Sequence, residues 1–302
     1  MRVGQWGGGR ECFLESHMAN LVRRSAAPAR GGKYPDIGTP WRWDVGRALD
    51  RLARRDALVD GDIYEFGVFT GGSLRVMRSA WAKYNLTGKV GGVWGFDSFI
   101  GLGDEDSAGV SGNPNDVEKS WSPGAYSAST ALNIHSFAAL QSKILEHISG
   151  TEEYARDPFG GKVKFHRGFF NVSLTDTLAA SQGMAPAMYV DIDVDHYLPS
   201  HQALFWLLRS KLIRVGTLVG YDDFGNTHLW TAGESRAHRQ VAEAFGIDFR
   251  LVSSECMASA ANPAPQPGEL GSSCAKIPAA GCGRNFHPIF RVEALGGVPR
   301  LC

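Results

Sequence analysis

The sequence has 302 residues, with 31 Lys and Arg against 31 Asp and Glu, so its formal charge is zero. Neutrality argues against non-specific nucleic-acid binding, which needs a basic excess, and a hydrophobic content of 43% argues against a disordered chain. Glycine is in excess, at 37 of 302 residues against a usual level of roughly 7%, but without the three-residue period of collagen.

Five cysteines (Cys12, Cys256, Cys274, Cys282, Cys302) form no C-x-x-C pair. The N-terminus lacks the apolar core of a secretory signal, and no apolar run is long enough to span a bilayer. A soluble, reducing, cytoplasmic setting with free thiols is the expectation. The zero charge hides a split. Residues 1–60 carry 11 basic and 7 acidic side chains, residues 61–223 carry 13 and 18, and residues 224–302 carry 7 and 6.

The pattern predicts an irregular N-terminal arm over 1–39, with a Gly7-Gly8-Gly9 run. Such an arm suits partner contacts and is compatible with a homo-oligomer. Thr39-Pro40 reads as an N-cap with proline at the first helical position. Val45, Ala48, Leu49, Leu52 and Ala53 follow at helical spacing, predicting a helix over about 40–55. Buried strands are expected over 62–68, 91–97, 162–166, 187–193, 216–221 and 249–252. Helices are expected after Ser73, over 200–212 and over 235–245. Strands alternating with helical crossovers predict an α/β fold, a mostly parallel sheet with helices on both faces.

Two regions break the rhythm. Residues 104–160 show no clear strand but an amphipathic run near Ile134–Ile148, and read as a lid insertion. Residues 254–284 read as a long loop. A possible last strand over 285–292 contains Pro288, which predicts a place at the sheet edge. The α/β core is expected over residues 40–253, with 254–302 as loop and edge strand.

Three constellations carry chemistry. Glu65-x-Gly67-x-x-x-Gly71-Gly72-Ser73 sits at a strand-to-helix turn, where ligands of open α/β sheets bind. Glycines there let backbone approach a ligand, and the helix N-terminus offers free N–H groups. It is neither a dinucleotide fingerprint nor a phosphate loop. Asp97, followed by Ser98, ends the second strand, where a carboxylate can accept from a ribose diol. Asp191, Asp193 and Asp195 alternate with Ile192 and Val194, so an unbroken strand would put all three carboxylates on one side. The next strand delivers Asp222-Asp223. Grouped carboxylates repel one another, and a hard divalent cation such as Mg²⁺ relieves that cost. His196, His166 and His135 are open as general bases, and His228-Leu229-Trp230 could line a pocket.

These segments together resemble the macrocin O-methyltransferase-like (TylF) family of S-adenosylmethionine-dependent methyltransferases. The resemblance rests on Gly61 to Ser73, on Gly95-Phe96-Asp97-Ser98-Phe99-Ile100-Gly101-Leu102, and on Gly168-Phe169 with Asp176-Thr177-Leu178. It also rests on Ile192-Asp193-Val194-Asp195-His196-Tyr197-Leu198-Pro199-Ser200 and on Tyr221-Asp222-Asp223-Phe224-Gly225. Leu198, His196 and Ser200 depart from the Glu, Leu and Thr of the family pattern.

The resemblance implies a Rossmann-like class I methyltransferase fold, with S-adenosylmethionine contacts from Glu65, Gly67, Gly71, Gly72, Ser73, Asp97, Ser98 and Asp176. It implies Mg²⁺ held by Asp193, Asp222 and Asp223. Asp193, His196 and His166 are the candidates to take the proton of a hydroxylated small-molecule acceptor, with a natural-product sugar as the leading class. Two rival readings are a metal-dependent glycosyltransferase using Asp193-Val194-Asp195 as D-x-D, and an idle binding protein on the same fold. Neither nucleic acid nor membrane is expected as a partner.

Overall fold

Strand β1 (Gly61–Phe66), buried from Asp62 onward, lies inside a seven-stranded sheet. The computed structural model describes residues 45–46, 49–50, 52–55, 57–104, 123–149, 159, 161–224, 233–254 and 288–296. The elements after β1 are α1 (Gly72–Lys83), β2 (Val90–Asp97), α2 (Ala128–Leu132), α3 (Phe137–Ser149), β3 (Val163–Arg167), α4 (Phe170–Ser173) and α5 (Leu178–Gln182). Then come β4 (Ala187–Ile192), α6 (Tyr197–Arg209), β5 (Leu218–Tyr221), α7 (Gly233–Phe245), β6 (Asp248–Ser254) and β7 (Pro288–Ala294).

The strand order is β3-β2-β1-β4-β5-β7-β6. The first five strands are mutually parallel, and β7 runs antiparallel to both β5 and β6. Alternation along the strands divides the core. Tyr64, Phe66, Phe96, Ile192 and Tyr221 point to the face covered by α6 and α7. Ile63, Val93, Tyr189 and Leu218 point to the face covered by α1 and α3. Helices cover both faces of a mostly parallel sheet, the α/β architecture that the sequence predicts. The described part of the expected first helix is helical at 45–46, 49–50 and 52–53, with Val45 and Leu49 fully buried.

The structure corrects three expectations. Pro288 does not mark an edge: β7 is an interior strand and β6 is the edge. Pro288 is the first residue of β7, opposite Ser254 at the ladder's end, where a missing N–H costs little. The apolar run in the supposed lid is a packed crossover helix, with Leu140, Ile144 and Ile148 of α3 in the core beside α1. Finally, β4 stops at Ile192 and does not continue through Asp195. Asp195 is left-handed, at φ 62°, and the His196 N–H turns back to the Val194 carbonyl, 2.6 Å away. The two-residue alternation is therefore broken between Asp193 and Asp195.

The expected arm over 1–39, most of the loop over 254–284 and the His228-Leu229-Trp230 segment lie outside the described residues, as do 105–122 and 150–158 of the expected insertion.

Candidate active site

The site forms where β1, β2, β4 and β5 release their chains at one edge of the sheet. After Phe66 the chain enters a tight turn. Gly67 has φ 90°, and a Cβ there would overlap the carbonyl oxygen of Asp193. Only glycine fits that approach. Gly71, at φ 81°, is the N-cap of α1, and its own N–H bonds the Val68 carbonyl at 2.8 Å. A Cβ on Gly71 would press on Ile144 and Ile148 of α3 at 2.9 Å. Gly72 is different, since a Cβ there meets nothing within 4 Å. Gly71 supplies no side-chain cap to α1, as a glycine cannot, so the first N–H groups of α1 are not taken up by its N-cap residue.

Asp97 holds this turn in place. One carboxylate oxygen accepts from the backbone of Val68 (2.9 Å) and Phe69 (2.7 Å), and the other accepts from Phe99 (2.6 Å). Enclosure pushes the Asp97 carboxyl above its ordinary pKa, while these three amides pull it down. Oδ2 already accepts two amides, so any further donor is left to Oδ1. Ser98 serves its own loop: its hydroxyl donates to Gly101 and accepts from Ile100. Glu65 is fully buried, in register with Gly95 on one side and Asp191 on the other.

The acidic residues gather at the exits of β4 and β5. Asp193 N–H bonds the Phe66 carbonyl at 2.9 Å, and Asp222 N–H bonds Ile192 at 3.0 Å. Asp195 and Asp223 share a hydrogen bond. Burial, together with Asp195 and Asp222, holds the Asp223 carboxyl well above the carboxylate range, and His196 pulls it back. Asp193, Asp195, Asp222, Asp223 and His196 are thus one electrostatic group. Tyr126 joins it from the chain between β2 and β3. Its phenol is pushed up by burial and by all four aspartates, and its ring meets Phe69 edge-on at 6.1 Å.

An oxygen-only donor set is of the kind that suits a hard divalent ion, whose charge would offset the mutual repulsion of the aspartates. Among the described residues, however, no three His, Cys, Asp or Glu side chains are spaced as a metal-binding group.

Other expected site residues stand elsewhere. Asp176 is mostly exposed and pairs with Arg209 at 3.3 Å. That is the far end of α6, roughly 20 Å along the helix from His196. His166 stacks on Phe96 (5.2 Å) and Trp94 (5.8 Å), where burial lowers its pKa. His135 is exposed.

The family model for macrocin O-methyltransferase (TylF) matches residues 44–250, more than half of the chain. The chain belongs to this family. By family it is therefore an O-methyltransferase. Its fold is similar to that of CalS11, a calicheamicin methyltransferase, with 18% identity and a TM-score of 0.51 over 95% of this chain and 99% of that one. It is also similar to the O-methyltransferase NovP, with 17% identity and a TM-score of 0.55 over 91% and 95%. No curated protein sequence matches significantly.

Two residues of this TylF-family site escaped the sequence. His147 of α3 bonds the Thr70 carbonyl through Nδ1 (2.7 Å) and meets Arg75 Nη1 at Nε2 (3.3 Å). Arg75 can only donate, so Nε2 accepts and Nδ1 carries the proton given to Thr70. The crossover helix thereby braces the turn that precedes α1. Glu234, in the first turn of α7, is fully buried. It accepts from the backbone of Val194 and Asp223. A Glu at a helix start is ordinary in a sequence, and no local signal distinguishes this one.

Proposed function

We propose that this enzyme methylates a hydroxyl of a sugar carried by a natural product, assisted by Mg²⁺ or a similar divalent cation. The family is named for macrocin, and the similar CalS11 is described as a calicheamicin methyltransferase. Those names motivate the acceptor class. The observation that carries the site assignment is the backbone contact of Gly67 with Asp193, which fixes the donor turn beside the acidic group.

S-adenosylmethionine supplies an electrophilic methyl on a sulfonium. The turn from Gly67 to Ser73, with Glu65 beneath it, binds and orients this donor, and Asp97 keeps the turn rigid while accepting from the ribose. Asp193 and His196 are the groups that take the acceptor's proton. A divalent ion held by Asp193, Asp222 and Asp223 would lower the pKa of an acceptor hydroxyl. Tyr126, 42% exposed, walls the space between donor turn and aspartates on its open side and limits water there. His166, in its aromatic stack, takes no part. The D-x-D reading loses its support, because Asp193 and Asp195 do not share a strand face and the family is a methyltransferase family.

The test combines calorimetry of S-adenosylhomocysteine with a radiolabelled methyl-transfer assay on nucleotide-activated and natural-product-linked deoxysugars, with and without EDTA. Binding of S-adenosylhomocysteine, product in the presence of Mg²⁺ and its loss with EDTA are expected. Absence of S-adenosylhomocysteine binding rejects the donor site, and EDTA-resistant turnover rejects the metal.

A further inference from the structure

The backbone N–H groups at the exits of β4 and β5 need acceptors once the ladders end. Asp193 and Asp222 are still paired, to Phe66 and Ile192. One residue further on, the Val194 N–H points to Glu234 Oε1 at 3.4 Å and the Asp223 N–H to Glu234 Oε2 at 3.0 Å. One side chain thus spans the two exits that carry Asp193, Asp195, Asp222 and Asp223. Glu234 is fully buried and reaches these amides from α7, 40 and 11 positions away. A carboxyl group is a costly way to satisfy two amides beside four aspartates. A hydroxyl or a water could accept from either amide without adding acid. What only a carboxyl offers is two rigidly linked acceptors, one for each exit.

We propose that Glu234 is a positioning residue of the methyl-transfer site, a clamp that fixes the β4 exit against the β5 exit and so sets the spacing of Asp193 from Asp222 and Asp223. The inference rests on the reading of those aspartates as the acceptor and cation centre. Substitution of Glu234 by Gln keeps the shape but leaves one acceptor, and turns an NH₂ group towards the other amide. The exits then lose their fixed separation, while the turn from Gly67 to Ser73 is untouched.

The experiment compares wild type with Glu234→Gln in three measurements: Mn²⁺ titration followed by its free-ion spin resonance, calorimetry of S-adenosylhomocysteine, and hydrogen exchange by mass spectrometry. Mn²⁺ affinity is expected to fall about tenfold or more, as for other residues that orient metal ligands. S-adenosylhomocysteine affinity is expected to stay within about twofold, a split that a general loss of structure does not give. Exchange is expected to quicken in 190–200 and 218–224 alone. Unchanged Mn²⁺ affinity, unchanged exchange in those two segments, or a parallel loss of S-adenosylhomocysteine binding with faster exchange throughout would each overturn the clamp. If wild type itself binds no Mn²⁺, the metal reading fails and the clamp is decided by the exchange pattern. If Glu234→Gln does not fold, the wild-type amides decide by NMR: slow exchange at both Val194 and Asp223 supports the clamp, and fast exchange at either overturns it.

Discussion

Gly67 lies against the carbonyl of Asp193 so closely that a single added carbon would overlap it. One hydrogen bond earlier in the same pair of strands, the Asp193 N–H meets the Phe66 carbonyl at 2.9 Å. The turn proposed to orient the methyl donor and the residue proposed to take the acceptor's proton are therefore joined backbone to backbone. No flexible side chain separates them. Methyl transfer needs donor carbon and acceptor oxygen in line and close, and a fixed backbone spacing supplies that at no cost in mobility.

This contact makes Gly67→Ala the sharpest test of the geometry. The alanine must adopt φ 90°, unfavourable for any residue with a Cβ, and must also displace Asp193. Backbone strain and overpacking each cost about 1–3 kcal/mol. The expected outcome is a melting temperature lower by roughly 5–15 °C, with S-adenosylhomocysteine binding reduced at least as severely. Gly72→Ala is the control, because its Cβ meets open space. A Gly67→Ala protein that melts and binds like wild type would contradict the contact.

Asp97→Asn tests the carboxylate that ties the turn. Asparagine has one acceptor oxygen, so it can serve the Val68–Phe69 pair or Phe99 but not both. Charge-assisted bonds to backbone amides are worth about 1.5–3 kcal/mol each. S-adenosylhomocysteine affinity should fall by about tenfold or more in calorimetry, together with a loss of thermal stability worth at least one such bond. Stability loss without any change in affinity would make Asp97 purely structural.

Much of this was legible in the residues. β1, β2 and β4 are short runs rich in aromatic and branched side chains and closed by glycine or aspartate, as buried parallel strands are. The residues at their ends, Gly67, Asp97 and Asp193, were placed at the active edge by that alone. What stayed hidden depends on long-range contact. Glu234 reads as a helix-start acid and His147 as one polar residue on an amphipathic helix, yet their partners lie 11 to 77 positions away. Pro288 was misplaced because the edge rule has an exception at a strand's first residue. Asp195 was misplaced because a left-handed residue ends the two-residue period without any glycine to announce it.

Asp62 separates a structural acid from the functional ones. It is 3% exposed near the start of β1, at the opposite end of the strands from the aspartate group. Its carboxylate accepts from the Gly92 N–H (2.7 Å), the Trp94 indole (2.7 Å) and the Ala185 N–H (2.9 Å). Asp62→Asn cannot satisfy all three donors and should cost about 2–3 kcal/mol, a fall of roughly 5–10 °C in melting temperature. Turnover per folded molecule should stay within about twofold. Asp193→Asn should give the reverse, with methyl transfer lost and melting nearly unchanged. Equal effects of the two variants on turnover would refute the division of labour.

His238 of α7 makes stability depend on acid. It is 2% exposed, and its Nδ1 lies 2.8 Å from the Tyr221 hydroxyl. Its ring packs against Phe224, Phe249 and Phe290. Burial, with a smaller push from Arg239, lowers its pKa from 6.5 to about 3. Between about pH 6.5 and about 3 the unfolded chain therefore holds a proton that the folded chain excludes. Unfolding is favoured as pH falls through that window, by up to about 1.4 kcal/mol per pH unit for one proton. Above pH 6.5 both states are neutral at this site and the slope vanishes. Denaturant melts of wild type and His238→Gln at pH 7.5, 6.0 and 5.0 check the sign. The variant should be the less stable of the two at pH 7.5, because glutamine fills the aromatic cage poorly. The gap should narrow at pH 5.0, because the variant has no imidazole to protonate. A gap that stays constant or widens on acidification would mean that His238 is not held neutral in the fold.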